Sequence, residues 1–360
     1  MSRPTAAQLA DRRRRVAAAM HEAGLDHLLV TTLVNVRYLS GFTGSNGALV
    51  LRLDGGGVFL TDGRYRDQAA DEVPDLEHVV TRDLLGESAA RVDGRVGVET
   101  HTLSVDAHGV LVRAGLDLAP AGKVVETARE TKDDHELEAL RRACAITVEA
   151  FAGLLDGPLV GRTERDVARD LENRMLDRGA EAVAFETILA SGPHTAIPHH
   201  HPVDRVLQEG DLLKADFGAR VDGYHADFTR TVALGRAADW QREIHAAVRA
   251  AQAAGVAELV EGADVATSDR VVRASLEADG QLEHFTTGLG HGVGLQIHED
   301  PFVAGSHVGT LGRRTVLTME PGIYLPGRGG VRIEDTVLVA EQGQRPDVLT
   351  EFTTDLLEIA

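Results

Sequence analysis

Apolar positions recur along this chain with two different spacings, and the change from one to the other marks where one element gives way to the next. Thr5 to Ala23 is rich in Ala, Leu and Arg and is followed by Gly24, a helix with a glycine stop. His27 to Thr32 is strand-like, Asn35 to Gly47 reads as a turn-rich loop, and Ala48 to Leu60 reads as a hairpin through Asp54 to Gly57. No helix bearing Lys-Ser or Lys-Thr follows those glycines, so they form a turn and not a phosphate loop. A helix from Arg64 to Glu72, a strand from Leu76 to Val80, a helix from Leu84 to Val92 and a strand from Arg95 to Glu99 come next. A helix from Ser104 to Arg113 and a short strand near Asp117 to Ala119 complete a mixed α/β unit of ordinary domain size, residues 1–128.

Thr127 to Lys132 crosses into a second unit, residues 129–360, which begins with a long helix. There Leu137, Leu140, Ala143, Cys144, Thr147, Val148 and Phe151 recur at helical spacing. Thr163 caps a helix running to Arg178, strand-like Ala182 to Leu189 leads into SGPHTAIPHHHP, and two more helices span Asp239 to Glu261 and Val265 to Ala278. From Phe285 onward short apolar runs are broken by glycines, the pattern of curved or bulged antiparallel strands. The expected class is α+β in two domains.

Between those helices, DLLKADFGARVDGYHADFTRTVAL (Asp211 to Leu234) reads as two extended segments joined at Asp222-Gly223, the strongest short hairpin signal. With Val221 facing Tyr224, Gly218 falls opposite Asp227, and Asp216 is its diagonal neighbour on the same face. Two carboxylates then converge over a residue with no side chain. They are either ligands of a hard divalent cation or surface acids paired with Arg220 or Arg230.

Composition narrows the options. Hydrophobic residues make up 43% of the 360, ordinary for a globular protein, and 56 acidic against 37 basic residues give a net charge of −19. That balance disfavours nucleic acid and anionic membrane as partners. Cys144 is the single cysteine, which excludes an intrachain disulfide and a thiolate zinc cluster and reads as a buried, inert thiol. His21 and Glu22 interrupt any export-signal core after Arg12 to Arg15, and no window reaches the ~20 apolar residues of a membrane span. A cytoplasmic protein is expected.

Three more clusters carry chemistry: TGLGHGVGLQIHE around His291 and His298, TMEPGIY around Glu320, and GVRIEDT around Arg332 and Glu334. Singly, each has a plain explanation: a bonded core histidine, a capped turn, an Arg332–Glu334 pair. Together with the hairpin they assemble one imidazole and four carboxylates on apolar strands, more buried acid than nearby basic residues can pair.

The set ADFGARVDGYHADFTRT, GLGHGVGLQIHE, TMEPGIY and GVRIEDT resembles the metallopeptidases that include prolidase, aminopeptidase P and methionine aminopeptidase, in order and in spacing. It covers the chain from about Leu189 onward, while NVRYLSGFTGSNG and FLTDGRY resemble the smaller non-catalytic domain of the prolidase and aminopeptidase P branch. The resemblance implies a C-terminal pita-bread domain with a curved antiparallel sheet. It implies five ligands, Asp216, Asp227, His291, Glu320 and Glu334, for two divalent ions. Mn²⁺ is the first expectation, and Co²⁺, Zn²⁺ or Fe²⁺ also suit such a set. Asp227 and Glu334 would bridge the ions, hydroxide held between them would be the nucleophile, and Glu320 would be the general base. His199 and His298 would face the oxyanion, with His200 and His201 as rivals to His199 within the same run, and Arg332 would support an acidic ligand.

The activity so implied is removal of one N-terminal residue ahead of proline, from dipeptides or short peptides, by a homodimer whose N-terminal domain and partner wall the site. Thr287 stands where many relatives carry a histidine, which puts strictness for proline in question, and His284 is out of register with it. His225 points away from the ligands by alternation. Creatinase-like amidinohydrolysis without metal and a catalytically silent binding relative are the rival readings, and both predict an eroded ligand set. Methionine aminopeptidase activity is a lesser rival, because those enzymes usually lack the N-terminal domain.

Overall fold

In the computed structural model, residues 3–306 and 309–360 are described. The chain divides into two compact units, one reaching to Arg129 and the other spanning Glu130–Ala360.

The first unit is a mixed sheet with helices. Its strands are β1 (His27–Val30), β2 (Gly47–Arg52), β3 (Gly57–Thr61), β4 (Glu77–Val80), β5 (Arg95–Val98) and β6 (Asp117–Pro120), in the order β4-β3-β2-β1-β5-β6. Its helices are α1 (Ala6–Glu22), α2 (Leu33–Ser40), α3 (Arg66–Glu72), α4 (Leu84–Ala89), α5 (Val105–Arg113) and α6 (Val124–Glu130). Two of them correct the sequence reading. Asn35 to Ser40, the first part of the expected loop, lie in α2, which ends at Gly41 in the left-handed conformation (φ 80°). Asn35 is a poor helix former in isolation. Here it is fully buried, its amide donating to Glu99 and Glu126 at 2.7 Å and accepting from Arg129 at 2.8 Å. The expected crossover at 127–132 is likewise helical as far as Glu130.

The second unit begins with α7 (Asp134–Leu155), started by a capping box between Asp133 and Glu136. After it come α8 (Glu164–Asp177), β7 (Ala182–Val183), β8 (Ile188–Ser191) and a 3-10 turn, Gly192–Ala196. The central hairpin is made of β9 (Leu212–Phe217), β10 (Ala219–Val221), β11 (Tyr224–His225) and β12 (Phe228–Leu234). Asp222 and Gly223 have φ of 49° and 80°, the paired positive values of the hairpin turn that Asp-Gly favours. Val221 pairs with Tyr224, Phe217 with Phe228 and Asp216 with Thr229, so the anticipated register holds on both sides of an interruption at Gly218. A side chain at Gly218 would begin 1.8 Å from the Ala226 carbonyl oxygen, so only glycine admits that crossing.

Period two sends the hairpin's phenylalanines to the face opposite its aspartates. Phe217 and Phe228 meet Phe151 of α7 at ring separations of 5.6 and 5.7 Å, and the Ala219 amide donates to the Thr147 hydroxyl at 2.9 Å. Helix α7 thus braces the hairpin from behind, with Cys144 fully buried beside it. Helices α9 (Asp239–Ala257) and α10 (Val265–Ala278) precede β13 (Gly290–Gly292), β14 (Glu299–Val303), β15 (Val316–Met319), β16 (Gly322–Leu325), β17 (Gly329–Arg332) and β18 (Asp335–Leu338). Strand β13 pairs with β14 and β15, β15 with β18, and β16 with β17, all antiparallel. A bridge from Thr229 to Glu334 ties this region to the hairpin.

Candidate metal centre

The residues singled out in the sequence line one cavity of about 330 Å³ in the second unit: Asp216, Asp227, His291, Glu320, Glu334, His199, His298 and Arg332. They come from separate strands and turns. Asp216 sits near the end of β9 and Asp227 in the gap before β12, while His291 is in β13, Glu320 follows β15 and Glu334 lies between β17 and β18. Ligating atoms of Asp227, His291 and Glu334 all lie within 4.8 Å of one another.

Glycines let His291 reach that position. A Cβ at Gly290 would stand 2.1 Å from the Thr318 carbonyl oxygen, and one at Gly292 2.3 Å from that of Asp300. The His291 amide donates to the Thr318 hydroxyl at 3.1 Å, and Nδ1 lies 3.0 Å from the Gly292 carbonyl. A carbonyl can only accept, so Nδ1 carries the proton and Nε2 presents a bare lone pair. That lone pair faces Asp227 at 3.5 Å and Glu320 at 3.6 Å. Burial brings the His291 pKa down to about 4, against the Gly292 carbonyl, so the ring is neutral at physiological pH. Two carboxyl groups therefore converge on one bare imidazole nitrogen.

The same shortage of positive charge recurs across the site. The arginines near the hairpin are committed elsewhere, Arg220 to Glu181 at 2.8 Å and Arg230 to Asp335 at 2.8 Å. Arg332 pairs with Asp216 and not with Glu334. It also donates to the Tyr324 hydroxyl at 2.8 Å and to Thr229 at 3.2 Å. Four carboxylates are thus set against one guanidinium. Burial raises the pKa of Asp227 well above its ordinary value, with Asp216 and Glu320 adding. Burial does the same for Glu334, with Asp227 and Glu320 adding. Glu320 is pushed up to about 7 by burial, with Arg332 opposing and Asp216 adding. The outer oxygen of Asp216, Oδ1, is buried with no hydrogen-bond partner among the described residues. An orphaned carboxylate oxygen, a bare imidazole nitrogen and crowded acids are what a divalent cation would satisfy, so the donor set fits one.

The metal-free protein is accordingly expected to lose stability as the pH rises. Carboxyls whose folded pKa exceeds the unfolded value hold their protons more tightly in the native state. For Glu320 that advantage is complete below 4.5 and is lost as the pH passes about 7. The loss from this one group is of order 3 kcal/mol. Thermal unfolding of chelated protein at pH 5 and pH 8 should show the lower midpoint at pH 8, and a divalent ion should restore it. A midpoint independent of both pH and metal would mean that the acids have some other counter-charge.

Thr229 and Glu164 went unnoticed in the sequence. The Thr229 hydroxyl donates to Glu334 Oε2 at 2.6 Å and fixes that carboxylate, and alternation along DFT, with Asp227 two residues before it, could have found it. Glu164, at the start of α8, is invisible to any local pattern. Its oxygens accept from the Ser191 amide and hydroxyl at 2.8 Å and the Val203 amide at 3.2 Å, and they lie 2.9 Å from His194 Nδ1 and 2.8 Å from His200 Nε2. This grouping also brings three ligating atoms within 4.8 Å, but its carboxylate is already saturated by donors. It draws His200 away, and His199 and His201 are the members of the histidine run that line the cavity. His201 lies 3.2 Å from Glu186 with both side chains largely exposed. His298 packs edge-on against His291 at 4.4 Å. His225 is buried away from the cavity, Nδ1 donating to the Gly294 carbonyl at 2.9 Å, and Thr287 lines the cavity wall.

Two models of known protein families match the chain. Residues 138–341, more than half of the chain, match the model of metallopeptidase family M24, and residues 12–131 match the creatinase/prolidase N-terminal domain. The Xaa-Pro dipeptidase of Pyrococcus furiosus is 32% identical over 354 residues, 95% of this chain and 98% of that one. The structure of an Xaa-Pro dipeptidase from Bacillus anthracis superposes with a TM-score of 0.92 at 34% identity, covering 97% of this chain and 99% of that one. An X-Pro aminopeptidase from Thermotoga maritima gives 0.88 at 32%, covering 96% and 99%. The fold is therefore that of the pita-bread prolidases with their N-terminal domain. No helix among the described residues is long and apolar enough to cross a membrane.

Proposed function

The chain belongs to metallopeptidase family M24 and carries the creatinase/prolidase N-terminal domain; from that membership we propose that it hydrolyses the bond between an N-terminal residue and a following proline. The observation that carries the proposal is the convergence of one bare imidazole nitrogen and four carboxylates on a single cavity in which, among the described residues, Arg332 is the one guanidinium on the wall. Asp216, Asp227, His291, Glu320 and Glu334 would hold two divalent ions, manganese foremost, with Asp227 and Glu334 shared between them. When bound, the ions supply Lewis acidity, lowering the pKa of water and polarising a carbonyl.

The remaining work belongs to the chain. Glu320, on the cavity wall, would accept a proton from the attacking water and return it to the leaving amine. His199 and His298, on the cavity wall, would donate to the oxygen on which negative charge develops. Arg332 holds Asp216 through one oxygen and leaves the other free. Phe185, Ile188 and Ile297 add an apolar patch to the wall, suited to a pyrrolidine ring. The cavity volume lies at the small end of ligand sites, in keeping with a dipeptide or the first residues of a short peptide. A dipeptidase and an aminopeptidase are about equally similar to this chain, so likeness does not choose between those substrates. The same reading includes a homodimer in the cytoplasm.

Protein loaded with Mn²⁺ should cleave Ala-Pro, lose that activity to a chelator, regain it with metal, and leave creatine intact. Comparison with Ala-Ala and with a longer Ala-Pro peptide then gives strictness for proline and length preference. Creatine hydrolysis that survives chelation, or failure on every Xaa-Pro substrate, would overturn the assignment.

A further inference from the structure

Lys214 plays no part in the chemistry just described, yet it occupies the middle of β9, two residues before Asp216 and on the same face of the strand. It pairs with Ala190 on one side and Thr231 on the other, and it is fully buried. A lysine inside a sheet loses the hydration of its head group, so the structure must return those hydrogen bonds. It does so with main chain. Nζ donates to the carbonyls of Thr195 at 3.3 Å, Ile197 at 2.7 Å and Pro198 at 3.2 Å, and lies 5.2 Å from the centre of the Tyr324 ring. Three donors meet three carbonyls, all within the four residues that precede His199.

We infer that Lys214 is the positioning residue for His199: by gathering the Thr195, Ile197 and Pro198 carbonyls onto a rigid strand, it curls the segment so that the next side chain enters the cavity. The sequence of that segment calls for such a device. Pro198 has no amide hydrogen, so the chain there is not held by a regular ladder. Its carbonyl also accepts from Arg332 Nη1 at 3.3 Å, and the Thr195 hydroxyl donates to the Gly192 carbonyl at 2.6 Å while accepting from the Gly330 amide at 2.8 Å. Lys214 thereby links the strand that carries Asp216 to the segment that carries His199, fixing the distance between the acid cluster and the imidazole. The inference rests on the proposed role of His199 as a donor to the oxyanion.

The test is a double-mutant cycle on the metal-loaded full chain with Ala-Pro as substrate. Lys214→Met should lower kcat roughly 10- to 30-fold with KM changed by less than about threefold, as expected when a transition-state contact is misaimed. Bound metal should be unchanged, and hydrogen exchange should accelerate in peptides covering 192–201 while β12 keeps its protection. Combined with His199→Ala, the double variant should be no slower than His199→Ala alone, whereas combined with His298→Ala the losses should multiply. Lys214→Gln, which retains two N–H donors, should recover part of the rate. Wild-type kcat in Lys214→Met, or losses that multiply with His199→Ala, would overturn the inference and leave the peptidase assignment standing. If neither Lys214 variant folds, the residue is a core support and the inference is equally overturned. A wild-type protein inactive on every Xaa-Pro substrate removes the functional reading itself, a result distinct from either.

Discussion

Asp227→Ala and Glu334→Ala are each expected to abolish hydrolysis, by at least about four orders of magnitude, and to release metal, because in the proposed mechanism activation of water by the ions would supply most of the rate at neutral pH. Neither carboxylate can be replaced by a neighbour. Both are buried, both have an imposed orientation, and Glu334 is held by the Thr229 hydroxyl at 2.6 Å. The backbone around Asp227 is fixed by Thr336, whose hydroxyl donates to the Asp227 carbonyl at 2.8 Å. Misfolding is the obvious confounder, and electrostatics separates it from ligand loss. Without metal these acids repel one another, so deleting one should leave the melting temperature of the chelated protein equal to or above that of the wild type, most clearly at pH 8. The variants should also lose the stabilisation that metal gives the wild type. Metal content by elemental analysis and turnover of Ala-Pro, measured side by side, check both statements. Full turnover, or two ions retained by either variant, would contradict the shared-ligand assignment.

How far such a centre can be read from sequence depends on whether a residue's orientation is set locally. The hairpin was legible because Asp222-Gly223 forces one turn, the turn forces one register, and the register decides which side chains face the cavity. Gly290 and Gly292 were legible for a related reason: glycines on both sides of a histidine announce a close backbone approach. Helix α2 was not, because what stabilises it is remote. Asn35 sits in its interior only by virtue of Glu99, Glu126 and Arg129, between 64 and 94 residues away. Arg332 shows the same limit. Sequence proximity offers Glu334 as its partner, and the fold supplies Asp216, 116 residues distant. The withdrawal of His200 from that run is another long-range matter, set by Glu164 from α8. Lys214 has no local explanation in its strand, and the three carbonyls that account for it lie 16 to 19 residues upstream in an irregular segment.

His199→Ala is expected to slow turnover by roughly two orders of magnitude or more while leaving metal content intact, the cost of removing one preorganised donor to a developing oxyanion. The adjacent histidines make the prediction specific. His200 is buried against Glu164 at 2.8 Å, so His200→Ala removes one support of the segment and should act mainly on stability, lowering the melting temperature. His201 is 75% exposed and its carboxylate neighbour Glu186 76%, so His201→Ala should change kcat by less than about threefold, as exposed pairs contribute little. Three neighbouring substitutions should therefore give three different signatures: rate lost with metal and stability kept, stability lost, and nearly nothing. His199→Gln, which keeps an N–H donor of similar reach, should fall between His199→Ala and wild type. A wild-type rate in His199→Ala accompanied by a large loss in His201→Ala would move the donor role two residues along the run, and with it the point at which substrate meets this wall.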